Sequence, residues 1–208
     1  MMRFWSALSL ALALAAALLG ALVSGPAAAG SWPTPEAAYQ ATRVMNAEGV
    51  EMSGRLFHDR GKERWEVNMQ GMTQVMILRP DLEKMFLVLP EMNMAMEMPF
   101  ALGGSMPTPD SYAGSEPEVV GEEMIAGEET TKYKVEGDEG TGPYTVFFWM
   151  TGDGITMRTE GSSAEGSFEM YLDGLERGQQ PAALFELPAG VQVMPANPAM
   201  MNQMMQGQ

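Results

Sequence analysis

Apolar and polar residues alternate along most of the chain from Tyr39 onward, and short polar segments that contain glycine separate the alternating runs. A period of two is typical of β-strands that turn one face to a core and the other to water. Such runs lie at 50–58, 64–69, 72–78, 84–89, 92–98, 119–125, 131–135, 143–150, 155–159 and 167–175. The pattern therefore predicts about ten strands.

The segments between the runs carry residues that favour turns. Asp59-Arg60-Gly61-Lys62 and Thr151-Gly152-Asp153-Gly154 contain the glycine that tight hairpins prefer. Because no amphipathic stretch of helix length separates the runs, consecutive strands must pair antiparallel. A meander of this size curls into a barrel, half-barrel or sandwich. Short helices are expected only near Pro33–Tyr39 and in the segment Ala101–Pro117.

The first 29 residues have the features of a secretory signal peptide. Arg3 supplies the positive charge, and Ser6–Val23 forms an almost unbroken apolar run. Ser24-Gly25-Pro26 then breaks any helix, and Ala27-Ala28-Ala29 is the small-residue pattern that signal peptidase accepts. An uncleaved membrane anchor is the alternative, because the run approaches the length of a spanning helix. The breaker and the alanine triplet favour cleavage after Ala29.

The remaining chain divides into a linker at 30–38, one β domain at 39–194, and a methionine- and glutamine-rich tail at 195–208 that we expect to be disordered. Ala101–Pro117 is rich in Gly, Ser and Pro and has no periodicity, so we predict a surface flap. Gly103 and Gly104 give it a hinge. Met106 and Tyr112 are expected to cover the apolar wall beside the flap and to gate a cavity mouth.

The charge balance and the scarcity of reactive side chains exclude several function classes. Twelve basic against 27 acidic residues give a net charge of −15, which repels nucleic acid. Without cysteine there are no disulfides, thiolate metal sites or cysteine nucleophiles, and one histidine makes catalytic triads and zinc sites based on histidine untenable. No nucleotide-binding or hydrolase motif is present. We therefore predict a protein that is not an enzyme and that has no cofactor and no metal.

Methionine is unusually frequent, with 22 residues against eight phenylalanines. Met92, Met94, Met96 and Met98 occupy alternate positions, which lie on one side of a strand. Three interpretations stay open. The methionines form a core face, or an adaptable apolar wall for a lipid or partner, or a Cu(I) site built from thioethers.

The alternation also defines a candidate ligand-binding face of hydrophobic side chains. Its members are Trp65, Val67, Met69, Met85, Leu87, Met92, Met94, Met96, Met98, Val146 and Phe148.

Two further groups of polar residues have no partner that would make them catalytic. His58 is predicted to be a partly exposed residue at a strand end. Glu122-Glu123 and Glu128-Glu129 are adjacent pairs whose members face opposite sides of a strand, so they cannot share one site. They are predicted to form a solvated edge.

Three segments together resemble the family called domain of unknown function 4412: Met76–Pro99, Gly127–Val135 and Leu184–Gln192. That family is similar to the carriers of outer-membrane lipoproteins and to related periplasmic sensors. The resemblance covers most of 39–194. It implies a mainly β fold, a strongly curved antiparallel sheet that forms an open half-barrel with a flap and at most one or two short helices. It also implies that the concave side holds acyl chains.

The sequence thus predicts a periplasmic or secreted binding module that holds a lipid, an acyl chain or a hydrophobic partner on its concave face. The expected partner is a hydrophobic ligand, a lipoprotein or another envelope protein. No nucleic acid and no membrane span after signal cleavage are expected, and the protein is expected to be a monomer. The alternatives are an envelope sensor or scaffold with a filled core, and Cu(I) handling.

Overall fold

A computed structural model describes residues 32, 35, 37–47, 49–69, 71–100, 108–112, 115, 117–138, 142–164 and 166–195. The predicted signal peptide, the hinge residues Gly103 and Gly104, Met106, and the tail beyond Pro195 lie outside the described residues. Pro195 itself, the first residue of the predicted tail, ends a strand.

The described residues form a twelve-stranded sheet, and the connections contain short 3-10 helices at Pro80–Leu82, Pro90–Met92, Pro109–Tyr112 and Ala182–Phe185. The strands are β1 (Tyr39–Ala47), β2 (Val50–Asp59), β3 (Lys62–Met69), β4 (Met72–Arg79), β5 (Lys84–Leu89), β6 (Met94–Pro99), β7 (Glu118–Ile125), β8 (Glu128–Asp138), β9 (Pro143–Thr151), β10 (Thr156–Ser163), β11 (Gly166–Arg177) and β12 (Gln192–Pro195). Every run predicted as a strand overlaps one of them. The alternation does not predict β1 or β12.

The strands follow one another in the order β12-β6-β5-β4-β3-β2-β1-β11-β10-β9-β8-β7. Neighbours pair antiparallel, except that β12 pairs parallel with β6 and so makes the sheet mixed. Among the described strands the two end strands, β12 and β7, do not pair with each other, so the sheet is an open half-barrel. The predicted fold class is confirmed.

Contacts between distant strands show how strongly the sheet bends. Arg177 at the end of β11 holds Glu128 of β8 with an N–O distance of 2.9 Å, although β10 and β9 lie between them. In a flat sheet those strands would be about 14 Å apart. The main apolar cluster joins Trp65 of β3 to Met157 of β10, and Ile125 of β7 packs against it. We call the face that carries this cluster the inner face.

The opposite, outer face of β4–β6 is covered by the chain that follows β11. Val75, Ile77 and Phe86 are buried there, and Leu187 and Val191 pack against them. We call residues 178–191 the strap, because they cross the sheet and lead into β12 at its edge.

Two arginines of the outer face fasten the strap through its carbonyl oxygens. Arg64 donates to the Leu184 oxygen at 3.1 Å, and Arg79 donates to the Phe185 oxygen at 3.1 Å. Arg79 also holds the side chains of Asp81 and Glu186, each at 2.8 Å. The bond to Arg79 lowers the pKa of Asp81 to about 2. Phe185, which is 2% exposed, fills the space under the strap.

Two local predictions are wrong. No helix is present at the described residues near Pro33–Tyr39, because Tyr39 and Ala41 alternate into the core as the start of β1. Met92 does not lie on the strand with Met94, Met96 and Met98. Pro90 starts a 3-10 turn that includes Met92, and Asn93 has a left-handed φ of 51°, so β6 begins only at Met94.

The backbones of β2 and β3 approach each other closely at Gly54, so a substitution of this glycine tests the packing of the sheet. A Cβ at Gly54 would lie 2.0 Å from the Glu66 carbonyl oxygen, whereas one at Gly121 on β7 would meet no atom within 4 Å. We expect Gly54→Ala to lower the free energy of unfolding by about 1–3 kcal/mol or more, because neighbouring backbones must separate. Gly121→Ala is the matched control and should change it by less than about 0.5 kcal/mol. Equal losses in chemical denaturation would contradict this account.

Candidate functional site

The strand register places the predicted hydrophobic residues of β3, β5 and β6 on the inner face. Trp65 lies opposite Met76, Met76 opposite Leu87, and Leu87 opposite Met96. Directly paired residues point to the same side of a sheet, and so do residues two positions apart on one strand. The same side therefore carries Trp65, Val67, Met69, Met85, Leu87, Met94, Met96 and Met98.

The other half of the sheet continues that face. Phe148 of β9 lies opposite Thr159, Thr159 opposite Met170, and Met170 opposite Met45 of β1. Val146, two residues before Phe148, shares its side. Ten of the eleven predicted residues thus lie on the inner face, and Met92 is the exception. Met92 is 59% exposed in the turn before β6.

The centre of the inner face is a filled core. Trp65 is 3% exposed, and Leu56 and Met157 are fully buried beside it. Val67, Ile155 and Leu172 belong to the same cluster. These side chains pack against one another, so the middle of the face serves stability.

The β8–β9 end of the inner face holds an aromatic cluster that the linker and the flap complete. The Trp32 ring lies 5.1 Å from that of Phe148 and 5.8 Å from that of Tyr133. Its Nε1 donates to the Tyr112 carbonyl oxygen at 3.1 Å. The Tyr112 ring in turn lies 5.6 Å from Phe148 and 5.8 Å from Tyr144. Trp32, a residue of the non-periodic linker, is a contributor that the alternation did not identify.

The position of Tyr112 corrects one expectation for the flap. The sequence predicts that Tyr112 covers the methionine wall next to β6. β6 and β7 lie near opposite ends of the strand order, and Tyr112 precedes β7 by only a few residues. Tyr112 consequently packs at the β9 end and covers aromatic residues instead.

A partly open apolar strip remains at the β4–β6 end of the inner face. We call it the methionine strip, formed by Met72, Met76, Leu87, Met94 and Met96. Met72 is 44% exposed, and the other four are half-buried. Among the described residues, Leu87, Met94 and Met96 belong to none of the apolar clusters. Leu87, Met94 and Met96 are therefore the residues of the predicted face that core packing leaves half-open, whereas Met76 of the strip also packs against the central cluster.

A buried ion pair lies beside the central core. Arg43 of β1 is 5% exposed and holds both carboxylate oxygens of Glu63 at 3.0 and 3.1 Å. Its guanidinium lies 5.8 Å from the centre of the Trp65 ring. Sequence reasoning missed Arg43, although a signal exists: it is the one charged residue among the alternate positions Tyr39, Ala41, Arg43 and Met45.

His58 is buried next to that pair, which corrects the prediction of a partly exposed residue. Its ring stacks on Tyr39 at 4.9 Å and is 3% exposed. Nε2 accepts a hydrogen bond from the Gly61 N–H at 3.2 Å, so the ring is held in its neutral form. Burial lowers the pKa of His58, against the opposing effect of Glu63. Burial likewise raises the pKa of Tyr39.

The acidic pairs behave differently from each other. Glu122 and Glu123 are exposed. Glu128, by contrast, is engaged by Arg177, which also holds Asp153 with an N–O distance of 2.7 Å. These hydrogen bonds lower the pKa of Glu128 and bring that of Asp153 to about 2. Glu128 therefore ties β8 to β11 and is not a solvated edge residue.

An open groove of about 460 Å³ lies at the end of β1, β9, β10 and β11. Its lining includes Phe147, Ser162, Glu160 and Glu169, which the register places on the outer face. Both carboxylates already pair with Arg158. Two carboxylates in the wall of an open groove do not suit an acyl chain, so the methionine strip is the better candidate for an apolar ligand.

Within the described ranges, no three His, Asp or Glu side chains come together in a way that could hold a metal ion. The described residues likewise include no helix with the length and apolarity needed to cross a membrane.

No family model and no curated protein matches the chain. Solved structures with a similar fold exist. An uncharacterized conserved protein from Thermus thermophilus superposes with a TM-score of 0.52 at 15% identity, over 77% of this chain and 91% of that one. MucB superposes with a TM-score of 0.52 at 15% identity over 78% of this chain.

The MucA/MucB complex of Pseudomonas aeruginosa gives a TM-score of 0.51 at 16% identity over 77% of this chain. This chain spans 59% of the matched chain there and 62% of MucB alone. At such low identity the likeness establishes the shared fold.

The buried histidine predicts a defined dependence of stability on pH. The folded state lowers the pKa of His58 below its ordinary value of 6.5, so the unfolded chain takes up a proton first. The stabilisation from neutral His58 is complete above pH 6.5 and is lost as the pH falls below it. Arg43 disfavours the charged ring, whereas Glu63 and Asp59 favour it, and burial outweighs them.

His58→Gln should reduce the decline of the unfolding free energy below pH 6.5, because glutamine does not titrate. Denaturant titrations of both proteins on either side of that pH measure the difference, and the shared carboxylate contribution cancels. Identical pH profiles for the two proteins would show that His58 is not responsible.

Proposed function

We propose that the protein is an exported binding module of the cell envelope that holds a lipid, an acyl chain or a similar extended hydrophobic segment on the methionine strip. The observation that supports this function is the half-buried row of Met76, Leu87 and Met96 across three adjacent strands. Apolar surface of this kind gains about 25 cal/mol for each Å² that a ligand covers.

The chemistry of the strip suits a ligand of variable shape. Methionine side chains are unbranched and polarizable, so they adapt to different apolar partners better than leucine or valine. From Trp65 to Met96 the row crosses three strand spacings, or about 14 Å. An acyl chain or an apolar peptide has room to lie along it.

The fold likeness to MucB supports an envelope location, because MucB is known in complex with MucA(peri). The resemblance to domain of unknown function 4412 and to lipoprotein carriers remains part of this proposal. The filled core around Trp65 favours a second form of it, in which the module is a sensor or scaffold and the strip receives an apolar segment of another envelope protein.

Ligand binding at the strip can be tested with the protein purified from the envelope fraction of expressing cells. We expect a fluorescent fatty acid to bind, and lipid to appear in organic extracts analysed by mass spectrometry. Met96→Glu should lower the affinity for the fatty acid roughly tenfold or more, because the substitution places a charge under the ligand. Met92→Glu is the matched control, since Met92 lies off the strip, and should change affinity by about twofold or less.

A protein that is empty after extraction and does not bind the fatty acid would overturn the lipid form of the proposal. Equal weakening by Met96→Glu and Met92→Glu would show that the ligand binds elsewhere.

The signal assignment predicts that residues 1–29 are removed from the exported protein. We expect the envelope protein to begin at Gly30, as read by N-terminal sequencing or intact mass. Ala29→Phe should block cleavage because signal peptidase needs small residues at the outer positions of the triplet, whereas Ala28→Phe at the middle position should still be processed. A mature protein that retains Met1 would contradict the signal assignment.

A further inference from the structure

β7 is an edge strand, and no other described strand pairs with its outer backbone edge. In the strand order it is the last member and pairs with β8 alone among the described strands. All its residues from Glu118 to Met124 are exposed, and only Ile125 is half-buried. An edge strand presents N–H and C=O groups that lack partners, and these can template another strand.

The edge also exposes large apolar side chains. Val119 is 59% exposed, Val120 41% and Met124 58%. Exposed valines and a methionine on an open edge are the features that promote association by strand pairing.

Among the described residues, no acid of β7 forms an ion pair. There, every lysine and arginine either pairs with an acid or lies over an aromatic ring. None of these ion pairs involves Glu118, Glu122 or Glu123. Lys134, which faces Glu118 in the register, binds Glu136 at 2.7 Å and acts on Glu118 only through space. The three carboxylates of the edge are therefore left without a direct ionic partner in the described protein, and they can attract an external one.

The positions of the acids define what kind of strand fits. A bulge between Val119 and Gly121 leaves Glu118, Gly121 and Glu123 on the outer face. Glu123 is held in place there by the Trp149 Nε1–H, 2.7 Å from its carboxylate. A Cβ placed on Gly121 would meet no atom within 4 Å, so there is free space above this residue. A long basic side chain from an added strand can lie over Gly121 between the two carboxylates.

The inner face of the same strand is mainly apolar, with Val119 and Met124 on either side of Glu122. An added strand with apolar residues at every second position would contact this side. A second copy of β7 does not fit, because it would bring two sets of three glutamates together on a protein of net charge −15.

We propose that the β7 edge binds an extended, basic segment of another envelope protein by strand addition, with basic and apolar residues alternating along that segment. The added strand pairs with the open backbone edge, its basic residues face Glu118 and Glu123, and its apolar residues contact Val119 and Met124. The acids thus reject a second copy of this chain and select a partner of opposite charge.

Synthetic peptides test this directly. The probe is an eight-residue peptide of alternating lysine and valine, with two controls: the same peptide N-methylated on the residues that would pair, and a version with glutamate in place of lysine. We expect the lysine peptide to shift the amide resonances of β7, and both controls to bind roughly tenfold weaker or not at all. Equal binding by the N-methylated peptide would mean that no strand is added, and would overturn the proposal.

Charge reversal locates the site. Glu118→Lys should weaken binding of the lysine peptide and strengthen binding of the glutamate peptide, because Glu118 faces the basic residues of the added strand. Glu123 is kept because it anchors Trp149. Glu51→Lys makes the same change in net charge at an exposed position elsewhere and should leave both affinities unchanged. If both variants lost the same affinity for the lysine peptide, the attraction would be unspecific and the proposal would be overturned. A wild-type dimer that buries β7, seen by sedimentation and resonance broadening, would also overturn it.

Discussion

A single sheet has two faces, and both carry apolar residues that must be covered. The structure covers the outer face of β4–β6 with the strap, through Leu187 and Val191. It covers the inner face by bending, so that residues of distant strands such as Trp65 and Met157 pack in one cluster. Where bending brings no further residues over the inner face, apolar surface stays open. The methionine strip is the part of the inner face that neither the strap nor the bending of the sheet covers. It lies toward one end of the strand order because bending brings distant strands together mainly over the centre.

The junction of β1 with β11 holds the two halves of the sheet together, since β1 pairs with β2 on one side and with β11 on the other. Two buried polar residues lie close to this junction: Arg43 on β1 reaches Glu63 on β3, and His58 on β2 stacks on Tyr39. Arg177 adds bonds from the end of β11 to β8. Charges in such places cost desolvation but fix geometry, because an unpaired partner would be strongly destabilising. They define the register on which the inner face depends.

Sequence periodicity predicted the strands well because a period of two determines both the element and its face. That is why Trp65, Leu87 and Met96, from three different strands, were assigned to one surface that the register brings together. The same reasoning failed at Met92, where Pro90 starts a turn that interrupts the alternation. It could not find the strap or Trp32, because these segments have no periodicity and are held by partners far away in sequence. Whether an apolar face is filled depends on curvature, which the pattern of one strand does not contain.

The methionine strip and the β7 edge lie toward opposite ends of the strand order. The strip is built for shape-tolerant apolar contact, whereas the edge offers backbone hydrogen bonds and fixed negative charge. The filled core and the aromatic cluster lie between the methionine strip and the β7 edge, so each surface can form independently of the other. Salt would weaken charge recognition at the edge and strengthen apolar contact at the strip. An open half-barrel can therefore present two chemically distinct surfaces, one left by incomplete coverage of its inner face and one by the strand that ends its sheet.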